Sequence, residues 1–248
     1  MILFMTFKKK YDKKGDIIKK EEYNSDGSLY SKVVYKYDEK GNEIEMKKFN
    51  SNSSLLNSYV VEYNDKQKRE ATTYYNAEGI IDSKWTSQYD DKGNKKEMNK
   101  YNSEGSIESK WVYKYDDKGN QIQENEYNAD GSLSSKYTYE YDSMGNQIQE
   151  SKYNADGTLF SKVKYKYDDS GNKIETIYDL PNYSYKVEYK YDEKRNKIER
   201  KFYDPDETLT SNNTYEFEFD KQGNWIKKIE FDNQIPMYIL EREFEYYE

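Results

Sequence analysis

The sequence predicts an all-β chain: an antiparallel β-hairpin repeat array of about nineteen strands in one continuous twisted or coiled single-layer sheet. Three observations carry that expectation. A Tyr-Asp pair followed by two polar residues and Gly-Asn recurs every 26 residues, at Tyr11 (with Asp16 for the Asn), Tyr37, Tyr63 (with Asn64 for the Asp), Tyr89, Tyr115, Tyr141 and Tyr167, and returns in degraded form at Tyr191 and Phe219. A second marker, Tyr-Asn-x-Asp/Glu-Gly, stands twelve residues into each copy, at Tyr23, Phe49, Tyr75, Tyr101, Tyr127 and Tyr153, then at Tyr203 and Phe231. Between markers, apolar and polar residues alternate. Self-similarity at a fixed period of this size marks a repeat architecture.

Both markers are turn chemistry. In Asp116-Asp117-Lys118-Gly119 and Asn128-Ala129-Asp130-Gly131, an Asp or Asn opens the turn and its side chain can bond the backbone two residues on. The glycine closes it in a left-handed conformation that a Cβ disfavours. A type I turn followed by a glycine bulge is a common three-residue hairpin connection. Each copy therefore holds two turns and two strands, a long one at Leu133–Tyr141 and a short one at Gln121–Tyr127 in the clearest copy.

The long strand places Leu133, Ser135, Tyr137, Tyr139 and Tyr141 on odd numbers, as do Ile107, Trp111, Tyr113 and Tyr115 one copy earlier. Period two predicts a strand with one buried face. Because 26 is even, the aromatic stripe keeps its face from copy to copy, with Lys32, Lys36, Lys136, Lys162 and Lys166 on the other. With a three-residue loop, the favoured reading, Asp38 pairs with Asn42, Tyr37 faces the same side as Phe49, and Ile44, Ile122, Ile148 and Ile174 point to the opposite face; a four-residue loop puts these isoleucines on the aromatic side instead. Nothing repeats at the helical period.

Residues 1–248 read as a single repeat domain, regular over 11–177 and divergent over 178–248. Met1–Phe7 has the apolar look of a leader but lacks a basic n-region. Leu3, Met5, Phe7 and Tyr11 share odd parity and read as the first long strand. With no leader recognised, the default compartment is the cytoplasm; secretion or surface display follows if a leader was removed. Along the array, the copy at Tyr63 has Gln67-Lys68 in place of Gly-Asn, and the turn after Phe49 has Asn52-Ser53. Beyond Tyr167, Asp179-Leu180-Pro181-Asn182 brings the next marker in two residues early. Tyr238–Tyr246 alternates again and reads as a closing strand, giving ten long and nine short strands. Lys8-Lys9-Lys10 and the glutamates of Glu241–Glu248 suit edge protection.

Composition narrows function. The net charge is −8, and lysine and glutamate intermingle along every strand, which predicts cross-strand ion pairing and argues against nucleic acid. The chain has no cysteine and no histidine, so it lacks thiolate ligands, disulfides and the commonest general base. No apolar run reaches membrane-spanning length. Apolar residues make up only 34%, yet there are 30 tyrosines, each a large ring with a polar tip, which suits a sheet with little depth of cover.

The run Tyr113-Lys114-Tyr115-Asp116-Asp117-Lys118-Gly119-Asn120-Gln121-Ile122 resembles the YD repeats of the RHS and teneurin families. The resemblance covers Tyr11 to about Trp225. It implies hairpins wound into a spiralling sheet that can enclose a cavity, in proteins of surface recognition and toxin delivery. The chain departs from the family pattern in having Asn rather than Arg after the glycine, and in carrying a second hairpin within each unit.

Candidate chemistry is sparse. Asp116, Asp117 and Asn120 lack the ligand spacing of a calcium loop and read as turn caps. Carboxylates recur in every copy, whereas an active site occurs once, so the chain is expected to be non-enzymatic, without metal or cofactor. The aromatic stripe is the candidate ligand-binding surface: Trp85, Trp111, Tyr113, Tyr137, Tyr139 and Tyr165. Equivalent residues recur about every 9.6 Å, two strand spacings. Such a ladder stacks on sugar rings or docks a peptide; the alternative is that it is simply the sheet's packed face. The expected partner is a protein or a glycan, and the expected role a repeat scaffold or interaction protein, with a carbohydrate-binding module as the alternative.

Overall fold

The turns set everything else. The amide of Asp38 donates to the carbonyl of Asn42 at 2.8 Å, and the amide of Gly41 donates to the carbonyl of Asp38 at 3.1 Å. This is the three-residue loop with its glycine bulge. Oδ1 of Asp38 accepts the amides of Lys40 and Asn42 at 2.9 and 2.8 Å, and Oδ2 accepts Nδ2 of Asn42 at 2.9 Å. The second turns use the same backbone with Asn in front. Oδ1 of Asn76 accepts the amides of Glu78 and Ile80 at 3.0 and 2.9 Å. Where Asp occupies the third place, Asp130 takes over, accepting the amide and hydroxyl of Ser132 at 2.9 and 2.6 Å. The turn glycines sit at φ between 78° and 93°. Turns that lack the glycine keep the geometry: Ser53, Gln67, Arg195 and Glu207 hold φ of 62°, 58°, 64° and 65°.

The computed structural model describes residues 6–242. These form nineteen antiparallel strands in one open sheet, with no helix among them. In chain order they are β1 (Thr6–Tyr11), β2 (Ile17–Tyr23), β3 (Leu29–Tyr37), β4 (Glu43–Asn50), β5 (Leu55–Tyr63), β6 (Arg69–Tyr75), β7 (Ile81–Tyr89), β8 (Lys95–Tyr101), β9 (Ile107–Tyr115) and β10 (Gln121–Asn128). There follow β11 (Leu133–Tyr141), β12 (Gln147–Asn154), β13 (Leu159–Tyr167), β14 (Lys173–Leu180), β15 (Tyr183–Tyr191), β16 (Lys197–Tyr203), β17 (Leu209–Phe219), β18 (Trp225–Asp232) and β19 (Ile235–Glu241). From β2 to β18 the described strands alternate between short and long as expected. The residues gather into two compact units: 6–115 with 124–134, and 116–123 with 135–242. Leu3 and Met5 of the predicted first strand, and Phe244 and Tyr246 of the predicted closing strand, lie outside the described residues.

Within the first unit, one expectation is corrected. Asp38 does pair with Asn42, but Tyr37 and Phe49 do not share a face. Pairing steps from Tyr37↔Glu43 to Lys36↔Glu45, so Ile44 is an extra, bulged residue. A bulge of this kind shifts side-chain parity by one. Phe49 consequently lies opposite Lys32, while Tyr35 lies opposite Met46. In the second unit Ile148 and Ile174 are the extra residues in the same way. The aromatic residues of the second marker therefore join the lysine face, not the Tyr/Trp face.

A second device holds neighbouring strands in register. The Tyr37 hydroxyl donates to the carbonyl of Ile17 at 2.9 Å, at the start of the preceding short strand. Tyr63, Tyr89 and Tyr115 repeat this on Glu43, Arg69 and Lys95 in the first unit. Tyr141, Tyr167 and Tyr191 repeat it on Gln121, Gln147 and Lys173 in the second. Burial pushes the hydroxyl pKa of Tyr115, Tyr141 and Tyr167 up.

The sheet has almost no interior. Among the described residues the buried apolar side chains are Val61, Ala71 and Val187. They are joined by small polar ones at mid-strand, including Thr72, Thr73, Ser135 and Ser151. Tyrosine rings and lysine stems cover what a second layer would otherwise cover. In the second unit two hairpins turn more tightly: Leu180 pairs with Tyr183, and Asp232 with Ile235. The latter turn places Asn233 and Gln234 at φ of 48° and 71°, so β19 begins three residues before the strand expected from Tyr238.

Candidate functional site

In the first unit, Trp85 lies opposite Lys100, and Trp111 opposite Met98, which itself lies opposite Ser87. The registers place Trp85, Trp111 and Tyr113 on one face. The two indoles lean together, with centroids 5.3 Å apart and planes 20° from parallel. The Lys100 ammonium sits 5.7 Å from the Trp85 ring. Tyr113 is half-buried, and burial, then the charge of Glu124, pushes its hydroxyl pKa up. Beside Trp85 a hollow of about 190 Å³ is lined by Ala71, Tyr74, Lys95 and Met98.

In the second unit, Tyr137 lies opposite Lys152 and Tyr139 opposite Glu150; Tyr165 is opposite Thr176. Lys152 Nζ stands 5.3 Å from the Tyr137 ring centroid, and Lys173 Nζ 4.1 Å from that of Tyr165. Burial pushes the Tyr165 hydroxyl up to about 12. All six sequence-selected aromatics are half-buried. Trp85, Trp111, Tyr137 and Tyr165 each have a ring engaged by another ring or by an ammonium group. The sequence named these residues but carried no sign of that engagement.

The opposite face is ionic and aromatic together. In the first unit Glu45 binds Lys36 and Lys47, and Glu97 binds Lys110 at 2.8 Å. In the second, Lys166–Glu175 and Lys190–Glu199 pair at 2.7 and 2.8 Å. Paired lysines hold Glu45 and Glu199 below the usual carboxylate range. Several second-marker rings sit here under cations: Lys32 over Phe49 at 4.6 Å, Lys136 over Tyr153 at 5.5 Å and Lys186 over Tyr203 at 4.5 Å. Sequence reasoning missed these rings because the bulge that reverses their face leaves no mark in composition. Among the described residues no group of three or more acidic side chains is placed to hold a metal ion, and no helix is long and apolar enough to cross a membrane.

No protein-family model and no curated protein matches the sequence. Several solved structures are similar at low identity. A TcdB2–TccC3–Cdc42 complex matches 91% of this chain and 17% of its own at 11% identity, TM-score 0.41. The Photorhabdus luminescens Tc holotoxin pore matches 91% and 17% at 10% identity, TM-score 0.40. A porin-like protein from Bacteroides uniformis matches 95% and 92% at 10% identity, TM-score 0.42. The chain spans less than a fifth of the toxin-complex chains it matches.

Proposed function

We propose that this chain is a non-enzymatic scaffold of YD-type β-hairpin repeats that presents a regularly spaced surface to a protein partner. The observation that carries this reading is the recurrence of the same structural devices with the repeat. The tyrosine clamp and the Asp cap return at equivalent positions along the chain, and the lysine-flanked carboxylate returns at Glu45, Glu97 and Glu175. A catalytic centre needs one site unlike its neighbours, whereas a docking surface gains from identical neighbours.

The polysaccharide alternative asks for aromatic faces open to a sugar. Trp85 and Trp111 turn theirs toward each other, and this favours the protein reading. The test offers immobilised glycans and cellular proteins to the wild type and to Trp111→Ala. Saturable retention of a protein, with no glycan retained or chemically altered, is expected. Glycan retention that is lost in a folded Trp111→Ala variant, with no protein retained, would overturn the reading in favour of a carbohydrate module. Chemical change in an offered glycan would remove its non-enzymatic part.

A further inference from the structure

Two hollows in the first unit are copies of each other. One is lined by Ile81, Lys84, Thr86, Tyr101, Asn102 and the neighbouring turn; the other by Ile107, Lys110, Val112, Tyr127, Asn128 and its turn. Each residue of the second stands 26 after its counterpart in the first, and both hollows measure about 340 Å³. The registers put them on the lysine face: Tyr101 lies opposite Lys84 on one side and Ile107 on the other. Each has an apolar floor left open, with Ile81 and Ile107 exposed by 41% and 42%. Each has a tyrosine wall and a lysine at its side. The Tyr127 hydroxyl accepts a hydrogen bond from Asn125 Nδ2 at 3.0 Å, so its own proton is available to an outside carbonyl.

Spacing selects the occupant. Equivalent points two strands apart are about 9.6 Å from each other. A polyproline II helix advances about 9.3 Å per three-residue turn, so every third side chain points the same way at nearly this interval. An extended strand repeats its facing about every 6.7 Å. Seven residues of α-helix span about 10.5 Å. Grooves with aromatic walls and hydroxyl donors are the usual receptors for the polyproline conformation.

Charge adds polarity. Lys110 is already paired with Glu97. Lys84 has no such partner among the described residues, because the position 26 residues before Glu97 is the buried Ala71. The hollow at Lys84 therefore presents an uncompensated cation beside an apolar floor.

We propose that these two hollows take successive turns of a proline-rich peptide in the polyproline II conformation, with an acidic side chain beside Lys84. The assignment rests on the protein-scaffold reading above and names the partner's chemistry. It is tested by fluorescence anisotropy on the full chain, using a labelled peptide of Pro-Pro-Glu repeats. The comparison ligands are Pro-Pro-Lys repeats, flexible Gly-Ser-Glu repeats and an oligogalacturonate. Saturable binding of the Pro-Pro-Glu peptide is expected, with both other peptides and the oligogalacturonate at least about tenfold weaker. The double variant Ile81→Ser/Ile107→Ser and the single Lys84→Glu should each lose about tenfold or more, while Trp111→Ala binds as the wild type does. Both isoleucines are exposed, and thermal unfolding verifies that the variants fold. No saturable binding, equal binding of the flexible peptide, indifference to the isoleucine variant, or tighter binding of the oligogalacturonate would each overturn the assignment. A protein partner held by the Trp111 face and insensitive to Ile81→Ser/Ile107→Ser would overturn it while leaving the scaffold reading intact.

Discussion

The two kinds of turn in each repeat share a backbone and differ in what surrounds it. At the Asp-x-x-Gly-Asn turns, the preceding tyrosine sends its hydroxyl to a backbone carbonyl of the neighbouring strand, as Tyr141 does to Gln121 at 2.8 Å. At several of the second turns the preceding ring lies instead under an ammonium group, as Tyr23 does under Lys8 and Tyr153 under Lys136. One residue type at equivalent hairpin positions thus does two jobs. The difference comes from the bulge, which turns the second ring to the lysine face. The lesson is that at Tyr141 the hydroxyl makes the contact and at Tyr153 the ring does.

Removing hydroxyls should separate the two most sharply. Tyr141→Phe with Tyr167→Phe deletes two clamps in the second unit, the hydroxyl bonds to the carbonyls of Gln121 and Gln147. At about 1 kcal/mol for each bond, the pair should lose about 2 kcal/mol in urea unfolding. Tyr153→Phe, which keeps the ring, should change stability by less than about 0.5 kcal/mol. Equal losses for the two sets would erase the distinction. The clamps also predict alkaline sensitivity. The Tyr141 hydroxyl is raised above its ordinary value of 10.0, first by burial and then by the Asp116 charge. A raised value means the fold prefers the neutral hydroxyl. Its contribution is complete below pH 10 and is lost as pH climbs through the raised value. The wild type should therefore converge on the double Phe variant above pH 10.

Backbone strain ranks next. Gly145 sits at φ 87°, and a Cβ added there would meet nothing within 4 Å, so Gly145→Ala incurs only the backbone penalty. A loss of about 1–2 kcal/mol is expected. The converse holds at Arg195, φ 64°, where Arg195→Gly should gain about 1 kcal/mol because the turn already has the glycine geometry without the glycine. A loss there would mean that the arginine side chain contributes something the strain argument omits.

Much of this was legible in the sequence. Tyrosine spacing and turn chemistry fixed the strand alternation, and Leu133–Tyr141 runs as expected. Asp38 pairs with Asn42 through the predicted loop. The face of Phe49 was not legible, because Ile44 looks like any strand isoleucine and only the register shows that it is bulged out of pairing. The clamps were not legible either: a tyrosine that closes a strand by alternation looks the same whether or not its hydroxyl finds a carbonyl 20 residues earlier. For the ladder, the sequence aligned Trp85 with Trp111 but could not tell a pair open to a ligand from one stacked on itself.

The smallest expected effect tests whether the two caps are interchangeable. Oδ1 of Asp116 accepts the amides of Lys118 and Asn120 at 2.9 and 2.8 Å, and Oδ1 of Asn76 does the same work at its own turn. Asp116→Asn should therefore keep both backbone bonds and lose only the bond from Asn120 Nδ2 to Oδ2. At neutral pH the variant should be slightly less stable than the wild type. The bond from Asn120, followed by the backbone amides, holds the Asp116 carboxyl below its ordinary value of 3.8. A lowered value means the fold prefers the charged form. That contribution is complete above pH 3.8 and disappears as pH falls through the lowered value. Acid titration of stability should therefore bring the two proteins together below pH 3.8, since the asparagine has no proton to gain. A gap that stays constant across that range would show that the carboxylate's charge contributes nothing to the cap, and that Asp and Asn differ at these turns only in shape.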